Sequence, residues 1–246
     1  MKIIAFSNQK GGVGKSTTAF NVAHLLAQDS SVLMVDLDPQ SSLTSICGKD
    51  AEVEYSVYNL LRQTAGFNQI VLPINDRLDL LPATQELADL ELEIVNVKGR
   101  ERYLKTALEG IGKNYDYVVV DCPPSLNLLL VNALVAATHV IIPCETDYLA
   151  WKGVDLLLNS IAKVKTGVNQ ELKILGIVAT FYNPRTLHSR EIFEMLEEME
   201  IPVITPLSSS TRVKDASLGS MPLHEYDKNN KIVEQYKKIE EAIKHG

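Results

Sequence analysis

Cysteine is scarce in this chain. Its three residues, Cys47, Cys122 and Cys144, are scattered and odd in number among 246. That excludes a disulfide framework, and without a C-x-x-C spacing it offers no thiolate metal site, so a reducing cytosol fits best. Histidine is also thin: the five residues at 24, 139, 188, 224 and 245 are too dispersed for a ligand cluster and read as surface or packing residues. No apolar run is long enough to cross a membrane. Met1 leads straight into a strand-like segment, which leaves no room for a signal peptide. Internal repeats, low-complexity tracts and a linker between two domains are missing too. Net charge is −7 and the pI about 5.3. The chain is therefore not basic all over, although a local basic patch is compatible with that total.

What is present is an ordinary globular composition, 46% apolar and 22% charged, in a length that suits one large α/β domain over 1–246. Strand-like and helical stretches alternate with parallel-sheet spacing. Residues 8–18 read Asn-Gln-Lys-Gly-Gly-Val-Gly-Lys-Ser-Thr-Thr. Lys2 to Ser7 before them is a buried-strand run, and Ala19 to Ala27 after them has helical apolar spacing. Glycines at a strand-to-helix turn let successive N–H groups point inward, where the helix dipole adds to them, and together they bind phosphate. Lys15 would then reach β- and γ-phosphates, and the Ser16 hydroxyl would ligate Mg²⁺. The G-x-x-x-x-G-K-[ST] pattern wants glycine at position 9, where this chain has Gln9, and a second lysine stands at Lys10. A lysine there is not needed to close the turn. It suggests a cation aimed at phosphates, its own or a neighbour's.

Two further strand ends carry carboxylates. Ser31 to Val35 runs into Asp36-Leu37-Asp38-Pro39-Gln40, and Tyr115 to Val120 runs into Asp121-Cys122-Pro123-Pro124-Ser125. Carboxylates at the carboxyl ends of parallel strands sit at the ligand edge of such sheets. Asp36 and Asp38 read as a magnesium shell and water positioner, and Asp121 as the carboxylate that holds Mg²⁺ through water. Cys122 reads as a small buried thiol rather than a nucleophile, since no histidine base is near it in sequence.

Elsewhere the pattern predicts helices over Val57–Leu61, along Leu87, Leu90, Ile94 and Val97, along Tyr103, Leu104 and Leu108, and over 127–137, 148–165, 187–199 and 228–244. It predicts strands over 138–143, 172–180 and 202–206, and two extended pieces turning at Asn75-Asp76. Lys98, Arg100, Arg102 and Lys105 form a basic cluster with interleaved glutamates, a solvated helix face.

Lys10 to Ser16 resembles the deviant Walker A signature K-G-G-x-x-x-K-[ST] of the ParA/Soj partition ATPases and MinD. D-x-D-P-Q at 36–40 resembles that family's switch I and D-C-P-P-S at 121–125 its switch II. The likeness is specific at these three places and weak elsewhere, though it runs nearly the whole chain. It implies a single-domain P-loop NTPase with a mostly parallel twisted sheet between two helix layers, using ATP/ADP and Mg²⁺. The nucleotide would be bound by Lys10, Gly11, Gly12, Val13, Gly14, Lys15, Ser16 and Thr17, with Asn183, Pro206 and Leu207 beside the adenine. Ser16, Asp36, Asp38 and Asp121 would organise the metal. Lys10, Lys15 and Asp38 would be catalytic, Asp38 placing the water and Lys10 reaching across a nucleotide-sandwich homodimer. Trp151 would lie on the dimer face or in the core.

The resemblance also implies a slow, partner-stimulated ATPase. In its ATP state it would bind double-stranded DNA without sequence preference and position plasmid or chromosome with a ParB-like adaptor. That places it in the cytoplasm and on the nucleoid, as a short form without an N-terminal helix-turn-helix. Candidate DNA contacts are Arg185, Arg190, Arg212 and Lys214, then Lys231, Lys237 and Lys238. Two other readings stay open. A MinD-like membrane switch would need an exposed amphipathic tail, for which Ile232, Val233, Tyr236, Ile239 and Ile243 have the spacing, although a docked helix explains them better. A metal-cluster carrier would need a cysteine pair at a dimer interface.

Overall fold

The computed structural model describes residues 1–111 and 115–246. Eight strands form one sheet in the order β3-β4-β2-β5-β1-β6-β7-β8. They are β1 (Lys2–Phe6), β2 (Val32–Asp36), β3 (Leu72–Asn75), β4 (Leu78–Leu81), β5 (Tyr117–Asp121), β6 (His139–Glu145), β7 (Lys173–Tyr182) and β8 (Val203–Ser208). All pairings are parallel except β3 with β4, the hairpin expected around Asn75-Asp76. The longer helices are α1 (Lys15–Leu26), α2 (Tyr103–Glu109), α3 (Leu128–Ala136), α4 (Tyr148–Gly167), α5 (Leu187–Glu197), α6 (Thr211–Leu218) and α7 (Lys231–His245).

Strand alternation divides the core in two. Ile3, Ala5, Leu33, Val35, Val118, Val120, Val140 and Ile142 join residues of α2, α3, α4 and α5 on one face. Ile4, Phe6, Val32, Met34, Val119, Ile141 and Val178 meet α1, α6 and α7 on the other. Both faces are covered, so the strands read as continuous apolar runs, as parallel sheets require. The apolar stripe of α7, Ile232, Val233, Tyr236, Ile239 and Ile243, is buried against this second face, so the tail needed for a membrane switch is already used in the body. Among the described residues no helix is long and apolar enough to cross a membrane.

Several stretches differ from the sequence expectation, α6 among them, since no helix is expected over 211–218. Helix α1 starts four residues before Ala19, because Ser16-Thr17-Thr18 are polar and hide its first turn. The stripe through Leu87 and Leu90 ends at Ile94; Val97 is exposed as the chain turns towards Gly99. Strand β7 continues through Phe181 and Tyr182, two residues beyond the expected end at 180, because pairing resumes at Tyr182 with Ser208.

Candidate functional site

The carboxyl ends of β1, β2, β5 and β7 surround a cavity of about 810 Å³ lined by Gly11, Gly12, Gly14, Lys15, Ser16, Thr17 and Thr18, with Asp38, Gln40 and Pro124 beside them. The loop is pinned at both ends. Asn8 Nδ2 donates to Pro143 O at 2.7 Å and its Oδ1 accepts from Lys10 N at 3.0 Å. Thr180 Oγ1 donates to Val13 O at 2.8 Å, which turns the buried Val13 away from the cavity. Gly12 and Gly14 take left-handed φ of 74° and 85°, which only glycine adopts without strain. A Cβ added at Gly11 or Gly12 would meet nothing within 4 Å, so the concave side is open to a ligand. Gly14 caps α1 without a side-chain hydrogen bond, leaving the first N–H groups of the helix directed at that space.

Lys15 is buried against this loop, its Nζ 3.3 Å from Lys10 O. Burial lowers its pKa, opposed by the negative charges of Asp121 and Asp38. Asp36 and Asp121 are register partners on neighbouring parallel strands, which puts both carboxyls on one side of the sheet. Both are fully buried, and desolvation raises both pKa values, with each raised further by a neighbouring carboxylate: Asp38 for Asp36, Asp36 for Asp121. Their uses diverge. Asp36 Oδ1 accepts from Asp38 N at 3.2 Å, and Oδ2 accepts from Thr44 N and Oγ1, each at 2.8 Å. It is occupied in holding the Asp38 loop. Neither oxygen of Asp121 has a hydrogen-bond partner among the described residues; Ser16 is near enough to favour its charge without hydrogen-bond geometry. A buried carboxylate left this way beside a buried lysine and a serine hydroxyl fits a hydrated cation, and the open glycine cradle fits phosphate. Asp38 is 8% exposed at the cavity wall, its Oδ1 accepting from Gln40 N at 3.0 Å.

Lys10 is not part of the cavity wall. Its Nζ lies 2.8 Å from both Glu145 Oε2 and Asp147 Oδ1, at the end of β6 and the N-cap of α4. Burial works against its charge, but the hydrogen bonds to Asp147 and Glu145 outweigh it, and its pKa is raised. Nothing in the local sequence couples residue 10 to 145 and 147; sheet order does, since β1 and β6 are neighbours.

Of the three residues expected beside an adenine, Leu207 lines the cavity and Asn183 and Pro206 do not. Asn183 is exposed and uses Oδ1 on Arg185 N at 3.1 Å, closing the turn before α5. The residues that do line this end, Phe181, Ser208, Ser209, Ser210, Val213 and Tyr236, come from three separate segments with no shared motif. Among the basic candidates, Arg185 and Arg190 are exposed, and Lys214 stands on the cavity rim. Arg212 is held by Asp227 at 3.2 Å and lies over the Tyr226 ring, and Lys237 pairs with Glu234 at 2.7 Å. Trp151 packs partly buried against the core next to Tyr148. All three cysteines are free and buried, and burial raises each thiol, so Cys122 stays protonated beside Asp121.

A family model described as an AAA domain matches residues 1–174. The chain is 39% identical to the sporulation initiation inhibitor protein Soj of Bacillus subtilis, over 96% of this chain and 95% of that one. A solved structure named cobyrinic acid a,c-diamide synthase, from Mycobacterium smegmatis with bound ATP analogue and magnesium, is 34% identical with a TM-score of 0.86, covering 98% and 93% of the two chains. One assigned to plasmid partition in Borrelia burgdorferi B31, bound to AMPPNP, is 27% identical with a TM-score of 0.87, covering 98% and 97%.

Proposed function

This chain belongs to the ParA/Soj family of partition ATPases, and from that premise we propose that it is a dimerising ATP switch that binds DNA without sequence preference in its ATP state and positions a DNA cargo with a ParB-like adaptor. The observation that carries this reading is the separation of its two loop lysines. Lys15 lines the cradle, whereas Lys10 lies outside it on Glu145 and Asp147. A cation that its own cradle does not use supports a role across an interface, on a second copy's phosphates.

ATP or ADP with Mg²⁺ is the ligand this site would take, as in the relatives solved with them. Ser16 and Asp121 would hold the cation, and when bound it neutralises charge on the phosphate oxygens. The N–H groups of residues 11–16 and the Lys15 ammonium cradle the phosphates. Asp38 orients the attacking water and draws its proton. Asp36 keeps the Asp38 loop in register through Thr44. Switching rests on the same contacts: the terminal phosphate orders the 36–42 and 121–125 loops, and its loss frees them.

For DNA, Arg185, Arg190, Lys214, Lys231 and Lys238 make no ion pair among the described residues and are the available phosphate contacts. Arg212 and Lys237 would first leave their exposed pairs with Asp227 and Glu234, which solvent screens. Such a protein works in the cytoplasm, on the nucleoid when loaded with ATP. A gel shift of nonspecific duplex DNA across a salt series tests it. Binding should require ATP, fail with ADP and weaken steeply with salt. Binding indifferent to nucleotide would overturn the reading, as would co-sedimentation with anionic vesicles without any DNA shift.

A further inference from the structure

A second cavity, of about 690 Å³, shares no lining residue with the first. It is a groove between the short helical turns at 57–61 and 67–70 and helix α2. Its apolar lining is Leu60, Leu61, Ala65, Phe67, Tyr103 and Ala107, with the exposed Arg102 and Thr106 beside them. Gly99, also on its wall, turns left-handed with φ 77° inside the basic cluster Lys98, Arg100, Arg102 and Lys105, to which nucleotide chemistry gives no task. The sequence reads that cluster as a solvated face balanced by glutamates. The structure withholds the balance. None of the four cations makes an ion pair among the described residues, and Glu93 is taken instead by Arg62 at 3.1 Å and by the Tyr58 hydroxyl at 3.0 Å. Four unpaired cations within eight residues concentrate positive charge on a chain whose net charge is −7. The segment is also held in place: Asn132 of α3, which is buried, donates to Arg100 O at 2.9 Å and accepts from Leu104 N at 3.1 Å. Just before it in the chain, Leu92, Val95 and Val97 are exposed, an apolar margin that the Glu93 contacts lay against the same helical turn.

Apolar lining and unpaired cations together define what fits. An apolar side chain fills the groove, and carboxylates beside it meet Arg102 and its neighbours. A DNA duplex would satisfy the cations and leave the groove empty. A bilayer surface is flat and does not enter a groove. The chain has an acidic helix of its own, α5, on which Glu191, Glu194, Glu197 and Glu198 are exposed and make no ion pair among the described residues. The apolar residues between those glutamates are already spent, however: Ile192 and Leu196 are buried, and Phe193 and Met195 pack against the core. A second copy would therefore bring charge without an anchor. A groove whose rim is fixed by Asn132 loses little entropy on closing around a flexible segment that brings both.

We propose that this groove docks a segment of a partner protein in which acidic residues flank an apolar anchor. The anchor enters between Phe67 and Tyr103, and the carboxylates lie along the 98–105 segment. Random peptides displayed on phage and panned on the full chain test it, with the enriched peptides then measured by fluorescence anisotropy. They should carry Asp or Glu beside Phe, Leu, Ile or Met, and their binding should weaken as salt rises. Arg102→Glu reverses the charge at the rim and Thr106→Trp fills the groove; each should weaken the peptides at least about tenfold. Both positions are exposed, so the fold survives both changes. No enrichment, enrichment without acidic residues, or equal binding by both variants would overturn the proposal. So would duplex DNA or anionic vesicles whose binding is lost in Arg102→Glu and kept in Thr106→Trp, which would give the cluster to phosphates. Self-association in sedimentation that both variants abolish would give the face to a second copy and overturn it too.

Discussion

The two ends of the cavity are built by different means. The phosphate end is backbone: one continuous loop whose N–H groups face inward because Gly12 and Gly14 turn left-handed. The rest of the wall is side chains, among them Phe181, Leu207, Val213 and Tyr236, brought from two strands and two helices. A backbone cradle recognises charge and is indifferent to the group that the phosphates carry. A wall of side chains recognises shape. A switch needs both, and the contrast predicts that damage at one end removes turnover while damage at the other changes only which ligand is held.

The sharpest way to break that contrast is Lys15→Ala. It should abolish nucleotide binding and cut phosphate release at least about 10²–10³-fold, as loss of a preorganised cation does. Retained affinity would mean the N–H groups suffice alone. Asp38→Ala should lower turnover about 10²-fold or more with ATP affinity kept, and trap the ATP dimer in light scattering. Unchanged turnover would mean that another group places the water.

Lys10→Ala should leave nucleotide binding near wild type and remove ATP-dependent dimerisation; a dimer that persists would confine Lys10 to its own subunit. At the far end of α1, His24 is buried and its Nε2 has no partner among the described residues. Desolvation, then the nearby His224, depress its pKa to about 4. The unfolded chain therefore binds the proton more readily. His24's share of stability is full above about pH 6.5 and is lost as pH falls towards 4, by up to about 3 kcal/mol. His24→Leu should flatten thermal melts over that window relative to wild type. Curves that stay parallel would show that burial does not hold the ring neutral.

The smallest expected effect concerns the hold on Lys10. Asp147→Asn keeps an acceptor for Leu149 N and Ala150 N at the start of α4 but removes one of the two charges on Lys10. Half-exposed pairs of this kind are weak, so the ATP concentration that half-dimerises the protein should fall only about twofold to fivefold. No shift would mean that the pair does not compete with the interface.

The fold was largely legible, because parallel strands buried on both faces announce themselves as runs such as Tyr115–Val120, and α7 as a stripe. The parts that were not legible share a cause. The first turn of α1 was hidden under polar residues whose side chains line a cavity instead of a core. The last two residues of β7 fell beyond the expected strand because a bulge interrupts their alternation. The sequence put Asp36 near the metal in support of Asp38; only the fold brings Thr44 onto its oxygens. Arg212 looked like a free cation until α6 met Asp227.

By itself, then, the sequence determined the glycine cradle, its buried lysine and the carboxylates at the ends of β2 and β5. Each of these is set within one short segment, by glycine's access to positive φ and by an aspartate closing an apolar run. The tertiary structure alone decided that Lys10 rests on Glu145 and Asp147, that Asp121 is left without a hydrogen-bond partner among the described residues, and that Phe181 and Tyr236 share a wall. Those depend on which strands lie side by side, and strand order is a property of the packed sheet that no single segment carries.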